Sequence, residues 1–289
     1  MALNRLTLQT RSFTAAIFVV VMLAGLLISH WTLFILFSVV HFGCWYEYQK
    51  LLKLIDPDYK GISEFHRYGI MVAGWCVMLY FTNNDFRFGD FVLHPVGWWL
   101  ALLFAFLLPI TEVLFSHNIS LKNIGYSALG LVYISFSCGL IIDLMLFPSL
   151  PFMSSPIMPC IVIACMWIND TMAYIVGSLV GKTPLAAISP KKTWEGTIGG
   201  IILCITVVTI GSSFVPVLQD FHFVHWLLIS LIASVMGTFG DLLESKLKRM
   251  AGVKDSGTIL PGHGGFLDRF DSLLIATPFI WLYVEIFLR

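Results

Sequence analysis

Two stretches of this chain carry side chains whose types and spacing suit chemistry. The first is Gly181-Lys-Thr-Pro-Leu-Ala-Ala-Ile-Ser-Pro-Lys-Lys-Thr-Trp-Glu-Gly196, followed by Gly199 and Gly200. The second runs from Gly240 and Asp241 through Ser245, Lys248, Arg249 and Lys254 to Asp268, Arg269 and Asp271. Asp241, Ser245 and Lys248 stand at i, i+4 and i+7, which places them on one face of a helix. Asp268 and Asp271 stand at i and i+3, again on one face. Between them Pro261-Gly-His263-Gly264-Gly265 lets the backbone approach a ligand closely. Three carboxylates with few other oxygens suit a hard cation such as Mg²⁺, which takes one or two carboxylates together with phosphate oxygens and water. Lys248, Arg249, Lys254 and Arg269 supply donors for phosphate groups. Metal, glycines and bases in this combination describe phosphoryl or nucleotidyl transfer. For Lys191, Lys192 and Trp194 alone, an interfacial collar of snorkelling side chains explains the pattern equally well. It does not explain carboxylates at helical spacing around a glycine turn, because acidic groups near a bilayer are costly to keep.

The elements that must position these groups are set by composition. Of 289 residues, 58% are hydrophobic and only 12% charged, and the mean hydropathy is +0.87. Soluble domains run near 45–50% apolar and about 25% charged, so a water-soluble shell cannot be built. Disordered, collagenous and disulfide-scaffold classes are excluded as well. A bilayer core of about 30 Å needs about 20 apolar residues per helix. Candidate spans lie near 12–29, 31–49, 68–82, 91–116, 124–147, 156–181, 196–218, 223–245 and 271–288. Backbone polar groups must be satisfied within the bilayer, so these are helices. The expected fold is an all-α polytopic integral membrane protein of about nine spans. It reads as one transmembrane domain over 1–289, with N-terminal helices in 1–150 and catalytic helices and loops in 151–289. The first apolar run continues directly into the second, so it reads as a retained span and not as a cleaved signal.

Alternating nine spans puts fifteen of the seventeen Lys and Arg residues on one side, leaving only Arg87 and Arg289 on the other. This positive-inside skew predicts a cytoplasmic N-terminus and a far-side C-terminus. Both polar stretches then face the cytoplasm and can meet in one cavity in the C-terminal third. The balanced formal charge gives no field that would draw nucleic acid. Other motifs carry less. The run Gly177 to Thr183 lacks one spacer residue of a phosphate-binding loop and follows no strand, so Gly177 and Gly181 are expected to serve helix packing. His222 and His225 fall on the far side from the carboxylates. Asp143 and Glu285 suit interfacial or cavity-facing positions. Asp170, deep in a span beside Asn169, is expected to line the polar cavity. The six cysteines lie in apolar runs without a CxxC pair and read as structural thiols.

Ser245 to Arg249, then Lys254-Asp255-Ser-Gly257, then Leu260-Pro-Gly-His263-Gly264-Gly265-Phe-Leu-Asp268-Arg269-Phe-Asp271 resembles the signature of the phosphatidate cytidylyltransferases. These enzymes are also called CDP-diacylglycerol synthases. Ser189-Pro-Lys191-Lys192-Thr-Trp-Glu-Gly196 and Asn169-Asp170 with Ala173-Tyr174 are similar to that family too. The likeness spans roughly residues 165–275 and points to the bacterial type, in a cell (inner) membrane. The resemblance implies CTP and phosphatidate as substrates among membrane lipids, with CDP-diacylglycerol and diphosphate as products, and leaves a homodimer open. It implies metal at Asp241 and Asp268, with Asp271 a further ligand, and Mg²⁺ beside a monovalent cation such as K⁺. Lys248 and Arg249 would bind phosphates, and Lys191 and Lys192 would grip CTP or the lipid head. A polyprenol kinase using CTP is the nearest enzymatic rival. A transporter would show broken helices in two corresponding halves, whereas here the polar groups crowd into one terminal third.

Overall fold

The computed structural model describes residues 5–84, 86–115, 121–145, 156–259 and 264–289. Among them are nine α-helices: α1 (Arg5–Leu27), α2 (His30–Ile55), α3 (Glu64–Tyr80), α4 (Leu93–Phe115), α5 (Leu121–Met145), α6 (Ile157–Val180), α7 (Trp194–Ser212), α8 (Phe223–Met250) and α9 (Leu267–Phe287). Six of these, α4 to α9, are long and apolar enough to cross a bilayer. They match the last six stretches expected from hydropathy. The first three expected stretches also fold as helices, with a difference. The apolar part described in α1, Phe13–Leu27, and the whole of α3 are shorter than a span. Helix α2 has 26 residues but carries His41, Glu47, Lys50 and Lys53, and its polar groups lower its hydropathy. The surface is that of a multi-pass membrane protein. Trp99, Phe106 and Leu114 on α4 are each more than two-thirds exposed, which only an apolar surrounding tolerates over so many neighbours.

The described residues pack as two compact units, one within Met1–Leu146 and Leu247–Phe270, the other within Ile157–Lys246 and Asp271–Arg289. In the first, α1 turns into α2 through a capping box. Ser29 Oγ accepts from Thr32 N at 3.1 Å, and Thr32 Oγ1 accepts from Ser29 N at 3.0 Å. Two orphan donors are thereby satisfied in a connection of almost no length. The core is aromatic, with Phe37, Trp45, Tyr59 and Phe86 at 1% exposure or less. One hydroxyl serves two of its polar groups: Trp45 Nε1 donates to Ser135 Oγ at 2.8 Å, and His41 Nε2 lies 2.9 Å from the same atom. Ser135 stands in a π-helical turn of α5, Leu131–Phe136, a local widening of the helix that re-aims side chains.

In the second unit α6 and α7 pack along small residues. A Cβ on Gly196 would lie 2.8 Å from the Gly177 Cα, and one on Gly200 would lie 2.9 Å from both Ala173 N and Asn169 O. Gly177 therefore does serve close packing, as expected, and Gly181 fits against Thr193. A two-stranded antiparallel hairpin, β3 (Pro184–Ala186) with β4 (Ser189–Thr193), joins the two helices. A second small hairpin, β1 (Arg87–Phe88) with β2 (Phe91–Val92), belongs to the first unit. The contacts at Gly200 are with the Ala173 methyl and with backbone of Ala173 and Asn169, none of which can rotate away. Gly200→Val should cost about 1–3 kcal/mol as an overpacking change and lower the Tm in a detergent thermal scan. Gly211→Ala, with nothing near the added methyl, should leave the Tm unchanged or slightly raised.

Candidate functional site

The polar groups of the second unit converge on a cavity of about 410 Å³ whose lining includes Asn169, Asp170, Lys191, Lys192, Thr238 and Asp241. Local folding explains each placement. Thr193 caps α7 by accepting from Gly196 N at 3.2 Å. Glu195 turns back to accept from Lys182 N at 3.1 Å and from Thr183 Oγ1 at 2.8 Å. The hairpin carrying Lys191 and Lys192 is thus tied to the start of α7, where an acidic side chain also complements the helix dipole. Lys192 Nζ donates to Asp241 Oδ2. Ser245, one turn after Asp241, is buried, with its Oγ 3.4 Å from Asp241 Oδ1. Asp170 lines the cavity, as its position in the span led one to expect.

Helices α8 and α9 meet backbone to backbone in this unit. A Cβ on Gly240 would run into the carbonyl of Asp271 and lie 2.8 Å from the Ser272 Cα. That approach brings the backbone just before Asp241 against the backbone at Asp271. Asp271 is 8% exposed, accepts from Ser272 N at 2.7 Å, and feels the charges of Asp241, Asp170 and Lys192. Neighbouring carboxylates repel unless cations join them. Lys192 supplies one positive charge. Among the described residues no three His, Cys, Asp or Glu converge as an all-protein metal cage. An ion of the Mg²⁺ type asks for only one or two carboxylates and takes its other oxygens from phosphate and water.

The remaining signature residues lie in the first unit. Helix α8 ends in a Schellman motif. Gly252, at φ +69°, donates to Arg249 O at 3.1 Å, and Val253 N donates to Lys248 O at 3.0 Å, which satisfies carbonyls of the last turn. Lys248 Nζ donates to Asp268 Oδ1 at 2.7 Å. Asp268 Oδ2 accepts from Ser256 N at 2.9 Å and Gly265 N at 2.8 Å, and lies 2.9 Å from Ser256 Oγ. Gly264 takes φ +85° beside that carboxylate, a conformation that disfavours any side chain. Lys254 and Arg269 are exposed. Arg249 Nη1 reaches Val253 O at 3.5 Å. His263 lies outside the described residues, as do Leu260, Pro261 and Gly262. Of the motifs set aside, His225 Nδ1 lies 2.8 Å from the Tyr283 hydroxyl and Glu285 pairs with Arg289 at 2.8 Å.

Reading the residues by type missed Glu47, Thr193 and Glu195. Thr193 and Glu195 are ordinary capping residues and give no chemical signal. Glu47 did give one. It is an acidic residue inside an apolar helix, and it is fully buried.

Comparison with known proteins now bears on this arrangement. A family model described as the cytidylyltransferase family matches residues 9–287. The phosphatidate cytidylyltransferase of Bacillus subtilis is 41% identical over 188 residues, covering 64% of this chain and 67% of that protein. The protein of the same name from Staphylococcus saprophyticus is 51% identical over 117 residues, 39% of this chain and 44% of its own length. Phosphatidate cytidylyltransferase 4, chloroplastic, of Arabidopsis thaliana is 45% identical over 122 residues, 42% of this chain and 30% of that one. The chain thus spans less than half of the last two relatives. Fold and family match together define a membrane-embedded transferase. The chain belongs to the cytidylyltransferase family.

Asp241→Asn keeps the volume but removes the charge that Lys192 pairs with. Activity should fall at least tenfold, a barrier rise of at least about 1.4 kcal/mol, with unchanged elution in size-exclusion chromatography. Turnover close to wild type would exclude Asp241 from direct contact with ligand.

Proposed function

We propose that the chain transfers the cytidylyl group of CTP to phosphatidate, yielding CDP-diacylglycerol and diphosphate. The observation that carries this reading is the Lys192–Asp241 pair at the wall of a polar cavity in an otherwise apolar helix bundle. A cavity with Lys191, Lys192, Asp170 and Asp241 suits a polyanion accompanied by a cation. The names and extents of the relatives support the substrates.

The chemistry needs little proton handling. The lipid phosphate is already an anionic nucleophile. One of its oxygens attacks the α-phosphorus of CTP, the bond from that phosphorus to the β-bridging oxygen breaks, and diphosphate leaves with the electron pair. The difficulty is to bring two anions together and to carry the charge of the leaving group. Lys191 and Lys192 would neutralise the triphosphate, and the exposed Lys254 and Arg269 would attract the lipid phosphate. Asp241 and Asp271 would hold Mg²⁺, which supplies further positive charge against the phosphates.

The basic-residue skew supports a cytoplasmic N-terminus and cytoplasmic placement of 182–195 and 246–270 in the cell membrane. Single cysteines introduced at exposed Lys182 and Lys254 should react with an impermeant reagent only after the membrane is opened. Labelling in intact cells would reverse the orientation.

Isotope tracing separates the proposed transfer from its rival. Label in the α-phosphate of CTP should end in the lipid, and diphosphate should be released. Labelled diphosphate with unlabelled CDP-diacylglycerol should return labelled CTP, and chelation of divalent ions should stop the exchange. Lipid labelled only from γ-labelled CTP, without that exchange, would make the protein a kinase.

A further inference from the structure

We infer that Glu47, on α2 and outside the signature, is a positioning residue that clamps both ends of the signature loop. Its carboxylate accepts from Phe266 N at 3.0 Å through Oε1, and from Leu267 N at 2.9 Å and Ser256 Oγ at 2.7 Å through Oε2. The side chain is fully buried, where an unmatched charge would be costly. Three donors from one loop match it.

The loop is shaped to admit this carboxylate. A Cβ on Gly257 or on Gly265 would collide with Glu47 oxygens, so glycine at both positions makes room for the group that holds them. One turn earlier on α2, a Cβ on Gly43 would strike the Phe266 ring. Gly43 and Glu47 thus form, at i and i+4, a docking face for the stretch around 256–257 and 265–267. The clamp reaches the reactive groups through Ser256. Its Oγ contacts both Glu47 Oε2 and Asp268 Oδ2, and its N–H donates to Asp268. Asp268 in turn receives Lys248. Glu47 therefore fixes where Asp268 and Lys248 point without touching substrate.

Each of these three partners of Glu47 is a donor, so the residue must offer two acceptor oxygens. A glutamine of the same shape would turn an NH₂ group toward N–H donors. This distinguishes a clamp from simple packing, to which Glu and Gln are nearly equivalent. The inference rests on the proposed transfer only in taking Asp268 and Lys248, which the family resemblance marks for metal and phosphate, to serve that reaction, so the test has two separate readouts.

Wild type, Glu47→Gln, Glu47→Asp and Ser256→Ala are purified as full chains in detergent. Hydrogen exchange is followed in peptides covering 254–259 and 264–268, with α3 and α7 as internal references. Glu47→Gln should speed loop exchange at least tenfold, leave the references unchanged, and lower kcat/KM for CTP at least tenfold. Glu47→Asp, which keeps both acceptors on a shorter stem, should fall between Glu47→Gln and wild type. Should Glu47→Gln fail to fold, Ser256→Ala decides by the same loop exchange. Wild-type loop protection in Glu47→Gln, or in Ser256→Ala where that is the deciding variant, overturns the clamp. So does a loosened loop with kcat/KM within twofold of wild type. If wild type itself transfers nothing to phosphatidate, the proposed function fails, while loop exchange still judges the clamp.

Discussion

A carboxylate held among apolar helices must be met by donors from the chain itself, since lipid offers none. In this protein that demand shapes the parts that carry chemistry. Glu47 is matched by two backbone N–H groups and one hydroxyl, and Asp268 by a lysine and two backbone amides. Each acceptor draws a piece of irregular chain onto a rigid helix. A loop that would otherwise sample many conformations acquires one, at the cost of ordering relatively few residues. The same logic governs the second unit, where Asp241 is answered by Lys192 and the hairpin bearing that lysine is tethered through Glu195.

Glycine does several distinct jobs around these groups. At Gly240 it lets two helices touch backbone to backbone, and at Gly252 its left-handed conformation stops α8. At Gly257 and Gly265 it leaves room for the carboxylate of Glu47. A glycine-rich motif read by itself suggests a cradle for a ligand. Here part of that cradle holds a side chain of the protein, which fixes the motif before any phosphate arrives. Preorganised donors of this kind cost no rearrangement when charge develops during reaction.

The membrane class, the helical character and the last six spans are legible in composition and hydropathy, because a bilayer imposes a length and a polarity on every crossing element. The placement of Asp170 at a polar cavity is legible for the same reason, as a charge inside a span needs somewhere polar to go. The N-terminal helices read less well. Helix α2 carries Glu47, His41 and two lysines within 26 residues, so hydropathy alone assigns it poorly.

Spacing along the chain told which carboxylates and bases share a helix face, since helical geometry is local. It also marked the signature and the family. It left open which partner each charged group takes, and that was decided by contacts between residues far apart in sequence. Glu47 lies more than two hundred residues before Ser256, Phe266 and Leu267, and Lys192 lies 49 before Asp241. No periodicity encodes such pairs. They exist because helix packing brings a buried charge within hydrogen-bond reach of the few groups able to satisfy it, and only the tertiary structure decides which groups those are.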